Sequence, residues 1–427
     1  MILIYGKGKT GTDLKNYLDK KGIENLILDE NDDLSAINPE RIDLIVVSPG
    51  VPFFKEIYKF AKKTRIPIIS EIEFGYKHFH GDVIAITGTD GKTTTTSLTY
   101  EIFKNVTNKN VFVGGNYGIP FINALEENYD LAVLELSSFQ LYSTKNFKPN
   151  VAVILNISKD HLDWHKKMRH YILSKFKIFK NQTENDFLIL NYDDNLLKNI
   201  KAKSKIYYFS LQKLPDDKKG IYLKNKEKDG YVLVLKDSFK LEFKIKPKLI
   251  GLHNLQNIMA SILSAYMYKL NFDKVIKVIE EFQPLPHRIE FVSQIGGIYF
   301  YNDSKATTVQ AVEKAIDSFD NKIILILGGI NKGGDFSTLR EKLKNKVKKA
   351  IVIGRDKEEI KNMIKKFTQV ETAQDLEEAV MKAYENAEKG DTVLLSPGCA
   401  SFDMFKSYAD RGEQFKNIVK SLEKKNG

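Results

Sequence analysis

The stretch Val83–Thr96, VIAITGTDGKTTTT, decides how the rest of the chain is read. An apolar run ends in Gly88-Thr-Asp-Gly91-Lys92-Thr93, and a string of threonines follows. A lysine between a glycine and a threonine at the start of a helix suits a phosphate grip. Backbone amides and Lys92 surround the anionic oxygens, and the Thr93 hydroxyl is offered to magnesium. The usual loop reads G-x-x-x-x-G-K-[ST], and Ile86 stands where its first glycine belongs. Gly88 makes the spacing G-x-x-G-K-T instead. Four β-branched threonines are poor helix formers, and the run is accounted for if the hydroxyls face a ligand. The competing account is a plain turn before a Thr-rich helix.

The pattern on both sides fixes the class. Before the loop, ILIYG is a strand, TDLKNYLDKKG a helix closed by glycine, and NLILDE and DLIVVSPG are two more strands. After it, VFVGGN, LAVLELSS and VAVILNIS are apolar strands ending in small or polar residues. Continuous apolar strands separated by helices predict parallel sheets covered on both faces. From Asp186 to Ile250 the period becomes two, with turn signals at Asp229-Gly230 and Asp237-Ser238, which predicts a small antiparallel subdomain. A helix-rich stretch, HNLQNIMASILSAYMYKL, leads to a boundary near His287, and KIILILGG, KAIVIG and DTVLLSPG are again parallel-type strands. The expected division is 1–80, 81–285 and 286–427.

Composition narrows the function. A chain of 427 residues needs two or three domains. The single cysteine, Cys399, excludes an intrachain disulfide and a cysteine-rich metal site and suits a reducing cytoplasm. No apolar run approaches the ~20 residues that span a bilayer, and the first residues lack the layout of a signal peptide. The net charge of +11 and pI of about 9.1 fit nucleic acid or anionic small substrates. The lysines are scattered among acids on helices without interleaved aromatics, which argues against nucleic acid.

In open α/β sheets ligands gather at the carboxyl ends of the strands, so the polar residues there are the candidates. GKGKTG places Gly6, Gly8 and Gly11 in the dinucleotide spacing, with Asp29 at the end of the next strand, where it could hold a ribose hydroxyl. Glu135 ends one buried strand and His161 lies just beyond another. With the Thr93 hydroxyl they would make a hard-cation site, although either residue alone is more ordinarily a capping or solvent contact. In the third unit Asp303, Lys305 and Thr307 crowd one strand end with Arg288 upstream, and Lys332 and Ser401 follow strands of their own.

GTDGKTTT, LELSSFQL, NISKDHLDWH, GLHNLQN, PLPHRIE, YNDSKAT and SPGCASFDMF occur in that order. The sequence they punctuate resembles the Mur ligases of peptidoglycan synthesis over essentially its whole length, and within them the branch that adds D-glutamate. That family's ATP loop is the short G-x-x-G-K-[ST] form. The resemblance implies three α/β domains: a Rossmann-like N-terminal domain for a UDP substrate, a central P-loop-type ATPase domain carrying the antiparallel subdomain, and a mobile Rossmann-like C-terminal domain. It implies an ADP-forming amide ligase that phosphorylates the carboxylate of UDP-N-acetylmuramoyl-L-alanine and lets the D-glutamate amine displace phosphate. For ATP it implies Gly88, Thr89, Asp90, Gly91, Lys92, Thr93, Thr94 and Asn257, with Arg288, Asp303 and Lys305 from the third domain. That domain must then close on the nucleotide. Two magnesium ions would be held by Thr93, Glu135, His161 and Lys175, the last carbamylated. Spacing alone makes Lys175, in HYILSKFKIF, an exposed helix lysine. Lys92, His161 and Lys175 would be the catalytic residues. Lys9, Thr10, Asp29, Gly50, Asn116, Ser137 and Gln140 would face the UDP substrate, and Thr307, Lys332, Ser401 and Phe402 would hold D-glutamate. A cytoplasmic monomer is expected.

Three rivals stay in view. An amide ligase of the same fold could add another amino acid or act on a folate, and Lys332 and the SPGCASF loop would discriminate. An NAD-dependent oxidoreductase built on GKGKTG would leave the second loop idle. The third rival is a non-enzymatic ATP-binding regulator.

Overall fold

The computed structural model describes residues 1–426. The chain forms two compact units, one made of Met1–Pro247 and Gln256–Phe282, the other of Lys248–Leu255 and the chain from Gln283 onward.

The first unit holds two sheets. In the smaller, Asn25–Leu28, Ile2–Tyr5, Leu44–Val47 and Ile68–Ser70 lie side by side and parallel. Alternation along the strands sends Leu3, Ile45 and Val47 to one core with Ile57 and Ala61, and Ile4 and Val46 to the other with Leu14 and Leu18. Each such Leu, Ile or Val side chain, fully buried, stabilises by about 1.5–3 kcal/mol. In the larger sheet the order is Lys240–Ile245, Gly230–Lys236, Gly220–Glu227, Lys205–Ser210, Phe187–Asn191, Val151–Ile154, Asp82–Thr87, Leu131–Glu135, Val111–Gly115. Its strands from Lys205–Ser210 onward in that order are parallel. The expected antiparallel region is present as the strands Gly220–Ile245, but it extends the edge of the same sheet: Gly220–Glu227 pairs parallel with Lys205–Ser210.

Two buried carboxylates on the helix Glu71–His78 bind these sheets into one unit. Glu73 accepts the amides of Lys145, Asn146 and Phe147, and Glu71 accepts that of Ile122 at 2.6 Å. Burial pushes the Glu71 carboxyl up to about 7.

The second unit is a six-stranded sheet, ordered Glu290–Ile295, Ile298–Asn302, Thr392–Leu395, Ile323–Gly328, Val347–Ile353, Gln369–Thr372. Only the first strand is antiparallel to its neighbour. The carboxyl ends of the adjacent strands Ile298–Asn302, Thr392–Leu395 and Ile323–Gly328 therefore lie side by side. From them emerge Asp303-Lys305-Thr307, Ser401 and Lys332.

Candidate active site

Asp82–Thr87 lies inside the larger sheet, and beyond Thr87 the chain turns through Gly88–Gly91 into the helix Lys92–Val106. Gly91 caps that helix at φ +82°, and a Cβ there would also collide with the Asn257 carboxamide oxygen. The first amides of a helix have no partner within it, so they form a site for anions. Lys92 folds back over the loop, its Nζ donating to the carbonyls of Thr89 (2.7 Å) and Gly88 (3.0 Å). The threonine run departs from expectation. Thr95 and Thr96 are fully buried; Thr95 Oγ1 donates to Gly91 O, and Thr99 Oγ1 donates to Ser261 Oγ at 3.0 Å on the helix Leu252–Met267. The Thr95 and Thr99 hydroxyls are thus engaged within the packed helices, and the buried Thr96 Oγ1 has no hydrogen-bond partner.

Lys175 is buried, against the exposed position that helical spacing suggests. Its helix, Met168–Phe176, directs Nζ to the Gly88 carbonyl at 2.7 Å, the same oxygen that Lys92 approaches, and over the Tyr171 ring at 4.7 Å. Tyr171 Oη in turn lies 2.9 Å from Thr89 Oγ1. Burial first, and the neighbouring Lys92 ammonium second, hold the Lys175 amine well below the usual lysine range.

Glu135 ends the buried strand Leu131–Glu135. Its Oε1 accepts from Asn116 Nδ2 at 2.7 Å, while Oε2 is buried without a hydrogen-bond partner. An orphaned carboxylate oxygen is unfavourable in a dry site and is what a hard cation satisfies. His161 is half exposed, with Nε2 3.2 Å from Asp160 and its ring 4.7 Å from Phe139. Among the described residues no three His, Cys, Asp or Glu side chains are arranged to hold a metal by themselves. The expected set draws one of its three donors from the Thr93 hydroxyl, and the orphaned Glu135 oxygen is the feature of it that fits a cation.

A cleft of about 490 Å³ opens at the carboxyl edge of the small sheet, and Lys9, Thr10, Asp29, Gly50, Asn116 and Gln140 all line it. Ser137 does not. Its hydroxyl and the Gln140 side chain form a reciprocal capping box on the helix Ser138–Tyr142. Asp29 accepts the amides of Lys7 and Glu30. Lys7 pairs with Asp32 and Lys55 with Glu30, each at 2.6 Å. Lys9 Nζ instead reaches the Gly118 carbonyl at 2.6 Å. Asn116 belongs both to this cleft and to Glu135, so the cleft runs towards the buried strand end.

In the second unit Asp303 is buried, accepting from Ser396 Oγ at 2.8 Å and from the Ile289 amide at 3.3 Å. Desolvation still pushes its carboxyl up to about 7. Arg288 lies between His287 (φ +63°) and Ile289 (φ +48°), a conformation unfavourable for a β-branched residue. Lys305 sits over the Tyr408 ring at 5.3 Å; Ser401 is buried, and Thr307, Lys332 and Phe402 are exposed.

The comparisons with known proteins fall on these elements. The family described as Mur ligase middle domain matches residues 86–265, and Mur ligase, glutamate ligase domain, matches 287–399. The chain belongs to the Mur ligases. It is 44% identical over 394 residues to UDP-N-acetylmuramoylalanine--D-glutamate ligase of Thermoanaerobacter sp. (strain X514), covering 90% of this chain and 85% of that one. It is 41% identical to the protein of the same name from Aquifex aeolicus (strain VF5), over 98% of both chains. Among solved structures it resembles the MurF ligase from Thermotoga maritima in complex with ADP, with a TM-score of 0.67 at 21% identity, covering 100% of this chain and 95% of that one.

Two residues of this Mur ligase escape sequence reasoning. Arg411, on the last helix, is buried and joins two loops: Nε donates to Ser304 Oγ at 2.9 Å, and Nη2 to the carbonyls of Ser304 and Cys399. Asn156 holds the phosphate loop. Nothing in ADRGEQF or VILNIS marks either, because their partners are distant in sequence.

Proposed function

We propose that this Mur ligase adds D-glutamate to UDP-N-acetylmuramoyl-L-alanine, converting ATP to ADP and phosphate. The observation that carries the reading is the continuity from the lysine-bearing cleft, through Asn116 and Glu135, to a phosphate loop crowded by Lys92 and Lys175. The name shared by relatives 41–44% identical over most of the chain supports the choice of substrates.

A substrate carboxylate oxygen attacks the γ-phosphorus of ATP, the β–γ bridging P–O bond breaks, and ADP leaves. The neutral amine of D-glutamate then attacks the acyl carbon, the C–O bond to phosphate breaks, and the amine nitrogen gives up a proton as the amide forms. Lys92, released from the loop carbonyls, supplies a positive charge to the transferred phosphoryl oxygens. The amides of Lys92, Thr93 and Thr94 receive phosphate at the helix start. Gly88, Thr89, Asp90, Gly91 and Asn257 shape that site.

Two magnesium ions, when bound, neutralise the phosphates and the acyl phosphate, with Thr93, Glu135, His161 and a carbamate on Lys175 as ligands. The depressed Lys175 amine supports this assignment, since only the neutral amine takes up carbon dioxide, and a carbamate would bring two anionic oxygen donors. In the cleft, Lys9, Thr10, Asp29, Gly50, Asn116 and Gln140 face the UDP substrate, with Ser137 fixing Gln140. In the second unit we assign Arg288, Asp303 and Lys305 to the nucleotide, and Thr307, Lys332, Ser401 and Phe402 to D-glutamate. The domains follow the division 1–80, 81–285 and 286–427.

The test is phosphate release from ATP with the UDP substrate and, in turn, D-glutamate, L-glutamate, D-alanine and diamino acids. D-glutamate alone should support ADP formation at full rate. Formation of AMP, or equal rates with L-glutamate, overturns the reading.

A further inference from the structure

The amides of a glycine-rich loop are counted as its phosphate-binding groups, yet here two of them are already engaged. The Oδ1 of Asn156 accepts the amides of Thr89 (3.1 Å) and Asp90 (2.9 Å), and its Nδ2 donates to the Asp90 carbonyl at 3.1 Å. The Asn156 carbonyl also lies 2.9 Å from the Thr89 amide. Asn156 is itself held from both sides. The Leu155 amide donates to Thr87 O, and the Leu155 carbonyl accepts from Asn191 Nδ2. The Ile157 amide donates to Asp194 Oδ2 at 2.8 Å and the Ser158 amide to Thr89 Oγ1 at 3.0 Å. The two residues between Gly88 and Gly91 are therefore pinned to the end of the strand Val151–Ile154.

We infer that Asn156 is a positioning residue that divides the short loop into an anchored half, Thr89-Asp90, and a receptive half, the amides of Lys92, Thr93 and Thr94 at the helix start. Both residues between the glycines, Thr89 and Asp90, are held by the Asn156 side chain. Docking the loop on Asn156 fixes the direction in which the helix amides point before the anion arrives, which lowers the ordering lost on binding. The inference rests on the proposed function only in taking the anion to be a nucleotide phosphate.

Two measurements on Asn156→Ala test it, with Asn156→Asp as a second variant. Amide exchange over residues 87–92 in the ligand-free protein should quicken about tenfold in Asn156→Ala, since three hydrogen bonds to the loop are lost. Asn156→Asp keeps the acceptor and should fall between wild type and the alanine variant. Titration with ATP should show Kd raised at least about tenfold in Asn156→Ala, while the Kd for UDP-N-acetylmuramoyl-L-alanine changes less than about twofold. Unchanged exchange, an ATP affinity within about twofold of wild type, or equal loss of both ligands overturns the inference. If Asn156→Ala does not fold, the same exchange ordering and the selective loss of ATP are read from Asn156→Asp. Wild-type protein that fails to bind ATP sinks the proposed function instead, and leaves the exchange result to decide the role of Asn156.

Discussion

The chain contains two glycine-rich loops with the same local design, GKGKTG after Ile2–Tyr5 and GTDGKT after Asp82–Thr87, each opening a helix. Their surroundings are opposite. At the first, Lys7 and Lys9 are exposed, Lys7 is neutralised by Asp32, and the loop borders an open cleft. At the second, two lysines share one carbonyl oxygen, one of them is buried, and a neighbouring asparagine pins the backbone. An exposed lysine keeps its charge and its water, whereas burial and the neighbouring Lys92 disfavour the charge on Lys175. The difference fits the proposed division, binding at the first loop and chemistry at the second.

The largest effect should come from the second loop. Lys92→Ala is expected to lower turnover by about a thousandfold or more, while the dissociation constant of the UDP substrate shifts less than about twofold. If that affinity falls together with the rate, the two loops are not separate in function.

Lys175→Met sharpens the same contrast through stability. A lysine with a depressed folded-state pKa leaves the unfolded chain binding more protons, so its unfavourable effect shrinks as pH rises towards 10.5, the ordinary lysine value. The methionine variant should lose activity yet unfold a few degrees higher at pH 7 in metal-free, carbon-dioxide-free buffer. The gain should diminish near pH 10 in a thermal scan. A lower unfolding temperature at pH 7 would mean that the amine is well accommodated.

Within the first loop the glycines should separate. A Cβ on Gly11 would strike the Gly6 carbonyl oxygen, whereas one on Gly8 meets nothing within 4 Å. Gly11→Ala should destabilise by about 3 kcal/mol in urea titration and Gly8→Ala by less than about 1 kcal/mol. Equal values would show that the loop relaxes freely. The smallest effect is expected at Lys7, which has a carboxylate for a partner where Lys9 has a carbonyl. Lys9→Ala should raise KM for the UDP substrate about tenfold with little change in kcat, and Lys7→Ala should raise it less than about threefold. The reverse order would move the substrate diphosphate to the other side of the loop.

Much of this was legible in advance. Buried parallel strands announce themselves as unbroken apolar runs, so the sheets and the polar residues at their carboxyl ends could be placed from spacing. Six of the seven residues that the family resemblance implied for the UDP substrate line one cleft. Others could not be placed. The threonines after Thr94 read as ligand groups because their packing partner, Ser261, lies on a remote helix. From spacing alone Lys175 reads as a surface cation, although the family resemblance placed it at the metal site, and Arg411 goes unmarked, because nothing adjacent in sequence reveals that either is enclosed. The buried acids Glu71 and Glu73 look like the start of any helix, yet they join the two sheets of the first unit.

The sequence by itself determined the succession of strands and helices, the two glycine turns and the lysine that follows the second. These depend on backbone sterics, hydrophobic period and helix-terminal amides, all of which act within a few residues. Only the tertiary structure decided which lysine is dry, which carboxylate oxygen is left without a donor, and which amides of the phosphate loop are already taken. Desolvation and hydrogen-bond satisfaction are set by whatever packs against a group, and Asn156 reaches the loop from 66 residues away.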